Sequence, residues 1–306
     1  MSGGLKRLRS AMVDKLLGIE LGATVAALQQ SIERQAEWER EARHSLALLL
    51  ESTQADIAER RVALDDIPSL RAKLKALRAT PAYSAAFDDV EPLVTVRIHT
   101  YTKTEELMDL ALPSVLGQTY ERIEIVIVND GPNERTRSAV TALNDDRVRF
   151  EELPTRGRYP ENPRSRWMVA GTDPANRAIE LAQGTWLAPL DDDDEFTPDH
   201  IETLLSLARS QRVELAYGAL IQKNLINGDE ARIWSFPPAI NQFSFQGSFY
   251  LGSLSFFRYE PRAWMLSEPG DWNLIRRMSE AGVTMAATEE VVAVTNMVPY
   301  THKSAD

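Results

Sequence analysis

The chain has 306 residues, of which 43% are hydrophobic and 26% charged, ordinary globular proportions that allow one large core and an appendage. A net charge of −11 argues against a nucleic-acid binder held through clustered Lys and Arg. With no cysteine, disulfides, thiolate nucleophiles and Cys-ligated zinc are excluded, and a reducing, cytoplasmic setting fits.

Residues 1–80 read as a helical arm, rich in Ala, Leu, Glu, Arg and Gln and without proline until Pro68. Gly18 and Gly22, followed by the charged run at 33–44, predict a break into two or more helices. From Leu46 the positions Leu50, Ile57 and Leu64, with Thr53 and Arg60 between them, follow heptad steps, an imperfect coiled-coil seam that suggests a homodimer through the arm. LLGIELGATVAAL at 16–28 is shorter than the roughly 20 apolar residues of a spanning helix and is interrupted by Glu20, so no transmembrane segment is expected. Lys6, Arg7, Arg9 and Lys15 precede it; a solvated face on a packing helix is the plainer reading, and peripheral contact with anionic lipid the other.

Residues 81–92 gain proline, acidic and small residues and read as a linker, and a second unit is expected over 93–306. LVTVRI at 93–98, IEIVIV at 123–128, RVRF at 147–150 and TWLAPL at 185–190 are short apolar runs alternating with helical stretches. That alternation indicates an α/β sheet, mostly parallel, with crossover helices. Asp173–Pro174 and Thr197–Pro198 carry helix-start chemistry, and the NGD turn at 227–229 a hairpin. A further helix is expected at 271–281.

The fourth strand runs into DDDDE at 191–195, which places five carboxylates where open α/β sheets bind ligands. Asp191 and Asp193, in alternate positions on a turn, offer oxygens to one hard divalent cation, Mn2+ or Mg2+, with phosphate oxygens and water completing the shell. Asp192 between them, as a neighbour on the same turn, points differently. Asp130, after the second strand and before Gly131, suits a uracil imide or a ribose hydroxyl, although an Asx turn explains it as well. Tyr101, past the first strand, suits a stacked base or ordinary packing. Asp271, behind Pro269 and Gly270, is either a helix cap or a general base for a hydroxyl, and both can hold. Arg156, Arg158, Arg164 and Arg166 are further cationic candidates for phosphate contact.

In this order the pieces resemble the family 2 glycosyltransferases of the GT-A fold, over roughly residues 93–290. The family's opening turn is matched by His99, Thr100, Tyr101 and Thr102, and its Ser-x-x-x-Gln-Thr-Tyr by SVLGQTY at 114–120. Its Asp-Asp-Gly-Ser appears as NDGP, its Asn and Ala-x-Gly helix as NRAIELAQG, its Leu-Asp-x-Asp-Asp as LDDDDEFTPDH, and its Glu-Asp-Trp as GDWNL. His99, Thr102, Asn129 and Gly270 depart from the usual residues. The resemblance implies an inverting transferase that uses a nucleotide-diphosphate sugar, most simply a UDP-sugar, and a hydroxyl acceptor on a glycan or glycolipid in polysaccharide biosynthesis. It assigns nucleotide binding to His99, Tyr101, Asp130 and Asp192, metal binding to Asp193 and Asp191, and the base to Asp271, with Glu268 as its stand-in. A late histidine completes the metal shell in some relatives of this fold, which makes His302 a third metal candidate. An inactive scaffold assembled through the arm and a metal-dependent phosphohydrolase are the rival readings.

Overall fold

Strong helix formers without proline build one continuous helix, α1 (Ser2–Asp65), where Gly18 and Gly22 had predicted a break. Each glycine costs about 1 kcal/mol relative to alanine, too little to interrupt a run of Leu, Ala, Glu and Arg on both sides. The computed structural model describes residues 2–297, the side chains of Ser2, Gly3 and Ile19 excepted, so His302 lies outside the described residues. The chain divides into two compact units, residues 1–59 and 60–306. The first is helical throughout its described length and largely exposed.

The second unit begins at Arg60, well before the boundary expected at 93, and the reason is burial. α1 ends where Asp66 turns left-handed (φ 44°) ahead of Pro68, and α2 (Ile67–Arg78) follows, burying Leu70 and Leu74 on one face. α3 (Pro81–Asp88) occupies most of the expected linker; Thr80 accepts from the Tyr83 N–H at 3.2 Å, Pro81 opens the helix, and Phe87 is buried. The fully buried Glu214 fixes these helices. Its carboxylate takes Arg78 through both Nε and Nη2 at 2.6 and 2.7 Å, the Tyr83 hydroxyl at 3.0 Å and the Thr284 N–H at 2.8 Å. Burial alone would raise the Glu214 pKa, but Arg78 and the Thr284 N–H outweigh it and hold the carboxyl below its ordinary value.

The branched apolar runs form the sheet as predicted. β1 (Val94–Thr100) leads into α4 (Thr104–Glu106), which passes through a π-helical turn at Leu107–Ala111 into α5 (Leu112–Leu116). β2 (Ile123–Asn129), α6 (Glu134–Ala142) and β3 (Val148–Glu152) follow, then α7 (Pro163–Val169), α8 (Thr172–Leu181) and β4 (Trp186–Asp191). β5 (Glu195–Phe196) and α9 (His200–Gln211) precede a hairpin of β6 (Leu215–Asn224) and β7 (Glu230–Ile233) around the expected Gly228 turn. β8 (Ser248–Leu251), α10 (Gly270–Ala281) and β9 (Met285–Met297) complete the described residues.

The sheet order is β3-β2-β1-β4-β8-β6-β9-β5, with β7 beside β6. β3, β2, β1 and β4 are parallel; β8 runs antiparallel to both β4 and β6, while β6 and β9 are parallel. Register places Thr100 beside Asn129 and His99 beside Asp191, so three strands release their carboxyl ends at one edge. Beneath that edge, Phe87 meets Trp186 edge-on at 5.7 Å and Trp186 stacks on Phe249 at 5.2 Å. Two helix starts differ slightly from expectation: α8 opens at Thr172 behind Gly171 (φ 83°), and α9 is preceded by Asp199.

Candidate active site

The acidic loop sorts its carboxylates by position. Asp191 ends β4 and, with Asp193, keeps partly exposed oxygens, whereas Asp192 and Asp194 are buried. Asp194 accepts from the Asn296 N–H at 2.8 Å, and the Asn296 amide donates to the Asp193 carbonyl at 2.7 Å, so β9 fastens the turn from behind. Burial pushes Asp192 up to about 7 against the pull of Lys103, and burial with the Asp191 and Asp193 charges raises Asp194 well above its ordinary value. Lys103 donates to Asp193, and Gln246 donates to Asp191. The repulsion implicit in the sequence is thus eased in two ways: burial disfavours the charged form of the inner pair, and the outer pair is given donors.

His99 stands over Asp191, its Nδ1 3.5 Å from the carboxylate and 3.3 Å from Arg97 Nη1. Desolvation lowers its pKa despite Asp191, which favours the neutral imidazole. The ring fits because residue 171 is glycine: a Cβ there would come within 2.5 Å of the imidazole, and φ 83° already favours glycine.

Asp130 is buried at the end of β2. One of its oxygens accepts from the Gly157 N–H at 2.8 Å and the other from the Tyr159 hydroxyl at 2.8 Å, with Arg156 Nε at 4.0 Å. Burial and the bond to Asp130 raise the Tyr159 pKa, so its hydroxyl stays a donor. The Arg156 guanidinium lies over the Tyr101 ring, 4.1 Å from its centroid. Of the four arginines proposed for phosphate contact, Arg156 therefore reaches the site, while Arg158 and Arg164 are exposed and Arg166 is half-buried on α7.

Asp271 sits in the first turn of α10, where its Oδ1 accepts from the Trp272 N–H at 2.6 Å. It shares a cavity of about 540 Å3 with Asp191, His99, Gln246, Trp167 and Trp272. Burial, then the Asp191 charge, pushes its pKa up to about 6 against the pull of that N–H. Glu268, its proposed stand-in, is engaged elsewhere: it accepts from Arg276, from Arg61 at 2.7 Å and from Asn273 at 2.9 Å. Burial would raise its pKa, but Arg276 and Asn273 outweigh it and hold the carboxyl below its ordinary value, so Glu268 is unsuited to serve as base.

Sequence reasoning passed over Lys103, Gln246 and Trp167. Lys103, two residues after Tyr101, meets the acidic loop only through the pairing of β1 with β4, and Gln246 and Trp167 carried no signal apart from the fold. Phe249, Tyr250 and Phe257 are core, and the buried Phe243 and Phe245 also reach the cavity wall. Among the described residues no three carboxylate or imidazole groups converge on a point that would hold a metal ion. Asp193 and Asp191 nonetheless present carboxylate oxygens of the kind hard divalent ions take, a partial shell that ligand oxygens and water would have to complete.

The model of the family Glycosyl transferase family 2 matches residues 95–269, more than half of the chain. The chain is 34% identical over 117 residues to the putative colanic acid biosynthesis glycosyl transferase WcaA of Escherichia coli (strain K12), a match covering 38% of this chain and 37% of that protein. It is 27% identical over 138 residues to the Escherichia coli UDP-Glc:alpha-D-GlcNAc-diphosphoundecaprenol beta-1,3-glucosyltransferase WfgD, covering 44% of this chain and 49% of that one. The matches thus span less than half the length of either relative. Among solved structures, Staphylococcus aureus TarS 1-349 in complex with UDP-GlcNAc superposes with a TM-score of 0.53 at 15% identity, over 70% of this chain and 61% of that one. This likeness shows the fold, the GT-A arrangement.

Proposed function

Because the chain belongs to glycosyltransferase family 2, we propose that it transfers a sugar from a nucleotide-diphosphate donor, a UDP-sugar, to an acceptor hydroxyl with inversion at the anomeric carbon. One observation carries this reading: Asp271 and Asp191 face one cavity from α10 and β4, with the Asp271 pKa raised toward neutrality. Asp271 takes the acceptor's proton, the acceptor oxygen bonds to the anomeric carbon, and the bond from that carbon to the diphosphate oxygen breaks, with its electron pair leaving on the nucleotide. Asp130, Tyr101, His99 and Asp192 are assigned to the nucleotide and the donor sugar, and Lys103 and Arg156 lie within reach of its phosphates as compensating cations. Asp193 and Asp191 would hold Mn2+ or Mg2+, which when bound would offset the charge on the leaving diphosphate.

The Trp167 and Trp272 rings in the cavity wall suit the apolar face of an acceptor sugar. The name of WfgD specifies a sugar carried on diphosphoundecaprenol as acceptor, and we assign this chain an acceptor of that kind, a lipid-linked glycan. The test is nucleotide binding and UDP release across a panel of UDP-sugars with and without manganese. Asp193→Asn is expected to abolish metal-dependent nucleotide binding. Asp271→Asn is expected to keep binding while transfer falls by about 10²–10⁴-fold. Loss of nucleotide binding in Asp271→Asn, or release of inorganic phosphate in place of UDP, would overturn the assignment.

A further inference from the structure

The start of α1 carries two features that the reaction does not use. Leu5, Leu8, Met12 and Leu16 are 72%, 66%, 63% and 59% exposed, and at 3.6 residues per turn they fall within an arc of about 80° on one side of the helix. Arg9 and Lys15 border that arc, one on each flank, while Lys6 and Arg7 lie further round and Asp14 falls on the opposite side. In a protein of net charge −11, the first 32 residues hold Lys6, Arg7, Arg9 and Lys15 against only Asp14 and Glu20.

We infer that residues 5–16 form an interfacial helix that docks this protein on an anionic lipid bilayer. The four apolar side chains enter the acyl boundary, and the flanking Arg9 and Lys15 lay their stems along it with their charges among the lipid phosphates. Among the described residues no helix is long and apolar enough to cross a membrane, so the contact is a surface one.

A second copy of the chain fits this stripe poorly. The apolar positions change sides after Leu16: Leu17, Leu21, Val25, Leu28 and Ile32 lie on the opposite face, so no straight seam continues the first stripe. Three turns fall short of the three to four heptads a coiled coil sustains. In a symmetric parallel pair the flanking cations would also face cations, whereas an anionic surface pairs them.

The test is co-sedimentation of the full chain with vesicles of phosphatidylcholine and phosphatidylglycerol in equal parts, and of phosphatidylcholine alone. Binding is expected on the anionic vesicles, weak on the neutral ones and reduced by salt. Each cation near the surface strengthens partitioning roughly fivefold, so Arg9→Gln with Lys15→Gln is expected to lower it by roughly 25-fold. Leu8→Gln with Leu16→Gln should abolish it, and Leu21→Gln with Leu28→Gln should leave it unchanged. Equal binding to neutral vesicles, no binding to either, or loss only in the Leu21 and Leu28 pair would overturn the inference. So would a change of oligomeric state in the Leu8 and Leu16 pair with vesicle binding intact, because the stripe would then join copies. Vesicle binding does not depend on turnover, so failure here leaves the transferase reading standing, and failure of that reading leaves this one.

Discussion

Asp271 and Glu268 are carboxylates three residues apart that meet opposite fates. Burial and the Asp191 charge raise Asp271 to about 6, so it ionises, and becomes able to take a proton, as pH rises through that value. The value of kcat/KM, read at low substrate, is therefore expected to climb roughly tenfold per unit below pH 6 and to level above it. A profile of kcat/KM against pH checks this, and a rising limb placed near 4 would count against a raised Asp271. The sequence made Asp271 legible because an acid behind Pro-Gly at a helix start is a local pattern. Glu268 is held by Arg276 and Asn273 on the helix that follows it, with Arg61, 207 residues earlier, adding a further bond, and no local pattern announces that three-way engagement. The same holds at the acidic loop, where alternation separated Asp191 and Asp193 from Asp192, but the burial of Asp194 comes with a bond from Asn296 on β9, about a hundred residues away.

At the scale of elements, one guanidinium gathers the carboxylates around α10. Arg276, 8% exposed, binds Asp65 at the end of α1 at 2.8 Å, Glu268 at 2.8 Å and Glu280 at 3.1 Å. Removing it leaves Asp65 and Glu268 buried without their main partner, so Arg276→Met is expected to cost about 3–5 kcal/mol in urea denaturation at neutral pH. The Glu268 pKa is depressed in the fold, so its share of the stability is present above the ordinary glutamate range and lost as pH falls through the folded value. The deficit of the variant should accordingly narrow in acid; a constant deficit would locate the loss in packing. Parallel strands were legible because both of their faces are apolar, and the β6–β7 hairpin because Gly228 marks its turn. α3 was not legible: its proline, acids and small residues suit a linker, and only the burial of Phe87 against Trp186 makes it part of the core.

For the whole molecule, the unit boundary was the least legible feature, because Leu70 and Leu74 look in sequence like the exposed leucines that precede them. Among the described residues, every buried apolar side chain lies at or beyond Leu70. A chain starting at Arg60 is therefore expected to unfold cooperatively with its thermal midpoint within a few degrees of the full chain, read by calorimetry. A loss of roughly ten degrees or more would show that residues 1–59 contribute to the stability of the core.

The contacts of Asp130 bear on how any nucleoside would enter. Each of its two oxygens already accepts one bond, from the Gly157 N–H and the Tyr159 hydroxyl, so on the proposed reading an arriving base or ribose must share the carboxylate with this internal tenant or displace it. Where displacement is required, measured affinity equals the intrinsic affinity scaled by the fraction of molecules in which that tenant has vacated. Tight contacts would register as modest binding, and the segment around Tyr159 would set how quickly the donor is admitted.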